Sequence, residues 1–199
     1  MEPHDVIVLG GGAGGVAAAI RAAQLGGRVA VVEDKFLGGL CMNRGCVPFG
    51  HMLAASHIIG ALDLGREMGI QCSSLETDFS ALMKRQTELV AFMRQGVKGL
   101  FDKHNIALIK GKGKIEAPGK VEVDGNILPF KKIILASGGQ WIKPEIPNRD
   151  LPGIVNSDYL LEAKTLPGRC LILGHGPRSI EVAQLLHRFG CDVRLVTPK

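Results

Sequence analysis

Aromatic residues are scarce: one Trp, one Tyr and seven Phe among 199 residues. The densest basic run, Lys110-Gly-Lys-Gly-Lys114, has no flanking ring on which a base could stack. The formal charge of +5 is spread along the chain, so that run reads as a solvated strand edge and no nucleic-acid partner is expected. No apolar stretch approaches the roughly 20 residues of a membrane span, and no membrane partner is expected either. A secretory signal is missing before Asp5: the first apolar run begins at Val6 and meets glycines after four residues. Cysteines number five, an odd count mostly unpaired by spacing, which excludes a secreted disulfide scaffold and points to a reducing cytoplasm. His51 and His57 stand six apart on a helical stretch, hence not on one face, and read as structural or surface residues. No metal site is expected.

Glycine, by contrast, is abundant, with 27 residues. Val6-Ile-Val-Leu9 is a continuous apolar run of the kind a buried parallel strand needs. Gly10-Gly-Gly12-Ala13-Gly14-Gly15 follows and matches GxGxxG at positions 10, 12 and 15. An Ala-rich helix from Val16 to Leu25, a Gly-Gly stop and a second strand, Val29–Val32, then lead to Glu33. Gly10 suits the tight turn, Gly12 the approach of backbone to a pyrophosphate, and Gly15 the packing of helix on strand. The helix start offers free N–H groups to phosphate, and Glu33 is placed to accept from a ribose diol. This half is expected to bind an adenine dinucleotide.

The next stretch, Gly38-Gly39-Leu40-Cys41-Met42-Asn43-Arg44-Gly45-Cys46-Val47-Pro48, holds two cysteines five positions apart. A disulfide there needs Cα atoms roughly 4.4–6.8 Å apart, which one and a half turns of helix, or a tight turn running into a helix, can supply. Helical character runs from Val47 to about Leu64, with Pro48 near the start where its missing N–H costs little. Cys46 would then sit at the positive end of a helix, where a thiolate is stabilised. Two inert core cysteines are the other reading of the pair.

Taken together, GxGxxG, the terminal Glu33 and Gly-Gly-x-Cys-x-Asn-x-Gly-Cys-x-Pro resemble the flavoprotein disulfide reductases, and among these the dihydrolipoamide dehydrogenases. The resemblance implies FAD in the first site, held by Gly10, Gly12, Ala13, Gly14, Gly15, Glu33, Asp34, Lys35, Gly39 and Leu40. It implies that Cys41 exchanges with a dithiol substrate and that Cys46 passes electrons to the flavin, which then delivers hydride to NAD+. A small-molecule or lipoyl dithiol is the implied substrate, and a homodimer the implied state of the whole protein. The chain departs from the pattern at Phe49-Gly50, where the family carries a small polar residue and a Lys that pairs near the flavin. Losing that cation is expected to alter the flavin's potential.

Asp78 is expected to cap a long amphipathic helix reaching Lys103, with Phe79, Leu82, Met83, Val90, Met93, Val97, Leu100 and Phe101 forming its core stripe. A strand at Ile106–Ile109 precedes a small antiparallel meander with turns at Pro118-Gly119 and Asp124-Gly125. Gly113 resembles the family's approach to the adenine end of FAD, or is an ordinary strand glycine. Ile133–Leu135 reads as another buried strand, running into Ala136, Ser137 and Gly138, which resemble the family's Ala-Thr-Gly turn beside the flavin. A Pro-rich, extended connection from Lys143 to Gly153 follows. Residues 169–196 repeat the opening layout: strand Cys170–Leu173, Gly174-His-Gly176-Pro-Arg178-Ser179-Ile-Glu181, helix, and strand Asp192–Val196. In the family this second motif docks NAD(P)H, which assigns Gly174, Gly176 and Glu181 to that nucleotide. Here Ser179 replaces the third glycine, Arg178 replaces an apolar residue, and Thr197 stands where Glu33 stands in the first motif.

The expected fold class is α/β: a Rossmann-like FAD-binding domain over residues 1–148, with a parallel sheet, helices and a small antiparallel meander, and the start of a second Rossmann-like nucleotide domain over 149–199. None of the six histidines matches the family's His–Glu acid/base pair. The chain is therefore expected to be an amino-terminal part that does not turn over alone. A glutathione- or mercuric-reductase-like enzyme, or a non-catalytic flavin-binding or thiol-sensing module, fits the same residues.

Overall fold

A computed structural model describes residues 2–197. In chain order the elements are β1 (His4–Leu9), α1 (Ala13–Gln24), β2 (Val29–Glu33), α2 (Gly39–Arg44), α3 (Cys46–Glu67) and α4 (Phe79–Lys103). They continue with β3 (Ala107–Lys110), β4 (Gly113–Ala117), β5 (Lys120–Val123), β6 (Asn126–Leu135), a 3₁₀ turn (Ser157–Leu161), β7 (Arg169–Leu173), α5 (Pro177–Arg188) and β8 (Asp192–Val196). The chain divides into two compact units, each made of two segments: Met1–Val47 with Leu89–Trp141, and Pro48–Glu88 with Ile142–Lys199.

The first unit is built on a six-stranded sheet in the order β3-β2-β1-β6-β5-β4. β3, β2, β1 and β6 run parallel, whereas β4 and β5 continue antiparallel from β6. Side chains alternate across a strand, and both faces here are covered. Val8, Val29 and Val31 enter one cluster with Ala19 of α1 and Val97 and Phe101 of α4. Ile7, Leu9, Ala30 and Val32 enter the other, with Val121 and Val123 of β5 and Leu128 of β6. Burial on two faces explains why β1 and β2 read as unbroken apolar runs; each such side chain contributes about 1.5–3 kcal/mol.

The strand expected at Ile133–Leu135 is the end of the ten-residue β6. That strand pairs antiparallel with β5 through residues 126–129 and parallel with β1 through His4↔Phe130 to Leu9↔Leu135. One strand thus joins the parallel layer to the meander, which a local apolar run cannot reveal.

In the second unit β7 and β8 pair in parallel from Arg169↔Asp192 to Leu173↔Val196, with α5 as their crossover. Val182, Leu185 and Leu186 of α5 pack with Phe49 and Met52 of α3 and Leu160 of the 3₁₀ turn. The 143–153 connection is not extended throughout: it turns at residues 147–150, with Asn148 at φ +59°.

Asp78 caps α4 as expected, its Oδ1 accepting from the Ala81 N–H at 3.0 Å. The apolar stripe of α4 is less buried than its spacing suggests, since Met93 and Leu100 are exposed. The segment Gly39–Glu67 contains an 18-residue window of mean hydropathy 1.3 and is long and apolar enough by composition to cross a bilayer, which corrects the reading that no stretch approaches that length. In the structure Gly45 interrupts this segment between α2 and α3.

Candidate active site: a glycine cradle and a cysteine turn

The C-terminal ends of β1, β2 and β6 converge. Gly10 N–H donates to Val32 O at 2.8 Å and Ala136 N–H to Leu9 O at 2.8 Å, which ties the three strand ends together. Gly10 has φ +104°, and a Cβ there would lie 2.2 Å from Ala136 O. At Gly15 a Cβ would lie 1.9 Å from Gly10 O, so α1 reaches the turn more closely than any L side chain permits. Gly12 caps α1 without a side-chain hydrogen bond, and Ala13 and Gly14 are exposed. No described atom lies within 4 Å of where a Gly14 Cβ would stand.

Glu33 braces this loop from the end of β2. Its Oε2 accepts from Gly11 N–H at 2.7 Å and its Oε1 from Lys35 N–H at 2.8 Å. Gly11 is a residue that motif reading passes over, because it occupies a variable position of GxGxxG. Asp34 and Lys35 are exposed beside it. A cavity of about 200 Å³ opens next to Glu33, with Lys35, Phe36, Leu37, Arg94 and Lys110 among its walls. Ser137 and Gly138 are exposed just past β6, and Ala136 is half-buried. Gly113 opens β4, where a Cβ would meet Leu9 Cδ2 at 2.7 Å and Val32 Cγ1 at 3.2 Å. Both contacts are with side-chain methyls rather than backbone.

The cysteine turn faces the same glycines. Gly12 forms a bridge with Gly38, and a Cβ on Gly39 would lie 2.6 Å from Gly12 Cα. Two bare backbones therefore meet where the loop and the turn approach. Leu40 is exposed, Cys41 is half-buried in α2, and Cys46 is exposed as the first residue of α3. Gly45 makes the break between the helices; a Cβ there would meet Leu40 O at 3.0 Å and Cys41 Cα at 3.2 Å. The Cys46 sulfur beside it pushes the Cys41 thiol up, with burial a smaller cause. Cys41 therefore keeps its proton to higher pH than an isolated cysteine.

Asn43, within the turn, donates from Nδ2 to Leu37 O at 2.9 Å and Gly39 O at 2.7 Å. Its Oδ1 accepts from Arg94 Nε at 2.5 Å. Arg94 and Asn43 are 51 residues apart, and an Arg on an amphipathic helix reads as solvated, so no local signal could have joined them.

The second motif is looser than the first. β7 ends at Gly174, φ +142°, and Gly176 caps α5. Ser179 holds the place of Gly15, and its Oγ would lie 2.4 Å from a Cβ on Gly174. The serine fills the space that α1 closes by direct contact, which explains how the third glycine is dispensed with here. Arg178 holds the place of the open Gly14. Its guanidinium stacks 4.0 Å from the Phe49 ring centroid, and its Nη1 stands 3.9 Å from Glu181 Oε2.

Two departures from the family pattern, at Phe49 on α3 and Arg178 on α5, thus touch each other. Phe49 is 2% exposed and anchors the second unit's core. Gly50 beside it is exposed with no described atom within 4 Å of a Cβ, so packing does not exclude a side chain there. Phe49→Ala is expected to cost about 3–5 kcal/mol, and Arg178→Met about 1 kcal/mol through the lost stacking. A double-mutant cycle by urea denaturation checks this; additive losses would remove the contact's energetic role.

A family model described as pyridine nucleotide-disulphide oxidoreductase matches residues 4–198. Mitochondrial dihydrolipoyl dehydrogenase of Dictyostelium discoideum is 36% identical over 98% of this chain and 41% of its own length. Mercuric reductase of Bacillus cereus is 34% identical over 97% of this chain and 31% of its own length. Among solved structures, the HOCl-induced flavoprotein disulfide reductase RclA from Escherichia coli superposes with a TM-score of 0.82 at 28% identity, covering 96% of this chain and 41% of that one. The chain thus spans about two fifths or less of these proteins, yet the match runs through both glycine motifs and the cysteine turn. It belongs to the pyridine nucleotide-disulphide oxidoreductase family.

Proposed function

We propose that this chain is the flavin- and dithiol-handling part of a dithiol/disulfide oxidoreductase of the dihydrolipoamide dehydrogenase type, acting in the cytoplasm. The observation that carries the reading is the meeting of two bare glycine segments, 10–15 and 38–39, beside the adjoining Cys41 and Cys46. FAD fits the first: Ala13 and Gly14 present N–H groups at an uncapped helix start, with no described atom within 4 Å of where a Gly14 Cβ would stand. Gly12, Gly15, Glu33, Asp34, Lys35, Gly39, Leu40 and the Ala136–Gly138 turn would hold it, Glu33 keeping lone pairs for a ribose beyond the two backbone donors it already accepts. Bound FAD supplies a two-electron acceptor that can hand hydride to a nicotinamide.

The chain's own part is the sulfur exchange. Cys41 and Cys46 adjoin, and the Cys46 sulfur holds the proton on Cys41. A substrate dithiol would reduce their disulfide through a mixed disulfide at Cys41, releasing the Cys46 sulfur, which is exposed at the start of α3. Gly174, Gly176 and Glu181 are assigned to the nicotinamide nucleotide, with domains divided at 148/149 and a homodimer as the complete protein's form. The 34% identity to mercuric reductase favours a second reading, in which the same pair serves mercuric ion; lipoamide and mercuric ion as rival substrates of the complete protein separate the two.

The test is a visible spectrum of the chain purified with added FAD, before and after anaerobic dithiothreitol. Flavin absorption with a long-wavelength band on partial reduction is the expected result. Flavin without that band would detach Cys46 from the cofactor, and a colourless protein after FAD loading would remove the flavin site from this chain.

A further inference from the structure

Phe36, Arg94 and Asn43 form a chain of contacts that neither glycine motif nor cysteine pair accounts for. Arg94, on α4, lays its guanidinium 3.9 Å from the Phe36 ring centroid and donates from Nε to Asn43 Oδ1 at 2.5 Å. Asn43 lies between the two cysteines and passes the restraint on, through Nδ2, to the carbonyls of Leu37 and Gly39. Those carbonyls flank Gly38, at φ +92°, and Gly39, at φ +57°, the two left-handed residues that start α2. Left-handed glycines are conformationally loose, so the turn's geometry has to be imposed from outside it. The planar fork of an arginine, fixed on a ring, loses little further freedom when it does so.

We propose that Arg94 is a positioning residue for the Cys41–Cys46 couple: through Asn43 it holds α2 so that the Cys41 sulfur stays beside that of Cys46. This rests on the pair being redox-active, as proposed above. Holding two thiols together raises their effective concentration and so favours the disulfide. Removing the hold lowers the equilibrium constant for its formation.

The experiment equilibrates the chain in glutathione buffers, quenches free thiols with a maleimide and reads the Cys41–Cys46 state by peptide mass. In that exchange the two thiols lose two electrons and two protons and form one S–S bond, while glutathione disulfide is cleaved to two glutathiones. Arg94→Met is expected to lower the constant about tenfold, which raises the couple's potential by about 30 mV. Arg94→Lys keeps the charge but not the planar Nε contact, and is expected to match Arg94→Met. Asn43→Asp keeps the acceptor for Arg94 yet loses both carbonyl contacts. It should shift the constant similarly, and the double variant no further than the larger single one.

Phe36→Leu, which leaves the hydrogen bonds intact, should give about a threefold shift and serves if Arg94→Met does not fold. A wild-type disulfide with unshifted Arg94→Met and Phe36→Leu variants overturns this proposal alone, as does an Arg94→Lys chain that behaves as wild type. A wild-type chain that forms no Cys41–Cys46 disulfide in any buffer overturns both this proposal and the redox reading beneath it.

Discussion

Gly15→Ala should unfold the first unit's glycine loop, at a cost of about 3 kcal/mol or more, whereas Gly14→Ala one residue earlier should leave stability unchanged or raise it. The added methyl at 15 would sit 1.9 Å from Gly10 O and 3.0 Å from Gly10 C, both backbone atoms that cannot rotate away. Relief requires α1 to retreat from the turn, which takes Val16, Ala19 and Ile20 with it out of the cluster around Val8 and Val31. Overpacking of well-packed sites costs about 1–3 kcal/mol where side chains can adjust, and more where only backbone can move. At Gly14 no described atom lies within 4 Å, and alanine gains up to about 1 kcal/mol of helix propensity over glycine. Urea denaturation of the two variants side by side decides it. Equal loss at both positions would mean that α1 does not stand as close to β1 as described, and the cradle proposed for a pyrophosphate would lose its basis.

Cys41 and Cys46 are both free thiols in the structure, and Cys46→Ser should prevent the proposed Cys41–Cys46 disulfide from forming, slowing glutathione-driven oxidation at least about a hundredfold; Cys170→Ser and Cys191→Ser should not. Thiolate is the reacting species in thiol–disulfide exchange, so pKa and access select which cysteines take part. Burial pushes the Cys170 and Cys191 thiols up, and for Cys191 the neighbouring Cys170 adds to it. Both sit in or against the second unit's core. Cys46 is exposed at the start of α3. Cys41→Ser should also remove the disulfide but leave Cys46 open to alkylation. In the wild-type chain Cys41, raised by the Cys46 sulfur, should be the slower of the two to alkylate at pH 8, and the lag should shrink as pH rises. A two-dalton mass loss on oxidation that survives in Cys46→Ser would assign the couple to other cysteines.

How much of this could be read from sequence follows the range of the interaction concerned. β1-α1-β2 and β7-α5-β8 were legible because apolar runs and glycine spacing are local, and the cap at Asp78 because it spans three residues. The start of α3, at Cys46 against Val47 expected, was legible from Pro48 near it. The family followed from the same short motifs, which report backbone demands such as the turn at Gly10 and the close approach at Gly15 that no other residue meets. The doubled role of β6, the exposure of Met93 and Leu100, and the turns in the 143–153 connection were not legible. Each depends on what packs from elsewhere in the chain.

So too with the side chains that tune the site. The sequence by itself determined that a glycine loop, a terminal acid and a cysteine turn would be made, since each is written within a dozen residues. Only the tertiary structure decided that Arg94 reaches Asn43 across 51 residues and that Arg178 lies on Phe49. A cation's partner is set by which surfaces the packed elements bring within about 4–6 Å, and no periodicity along the chain encodes that distance.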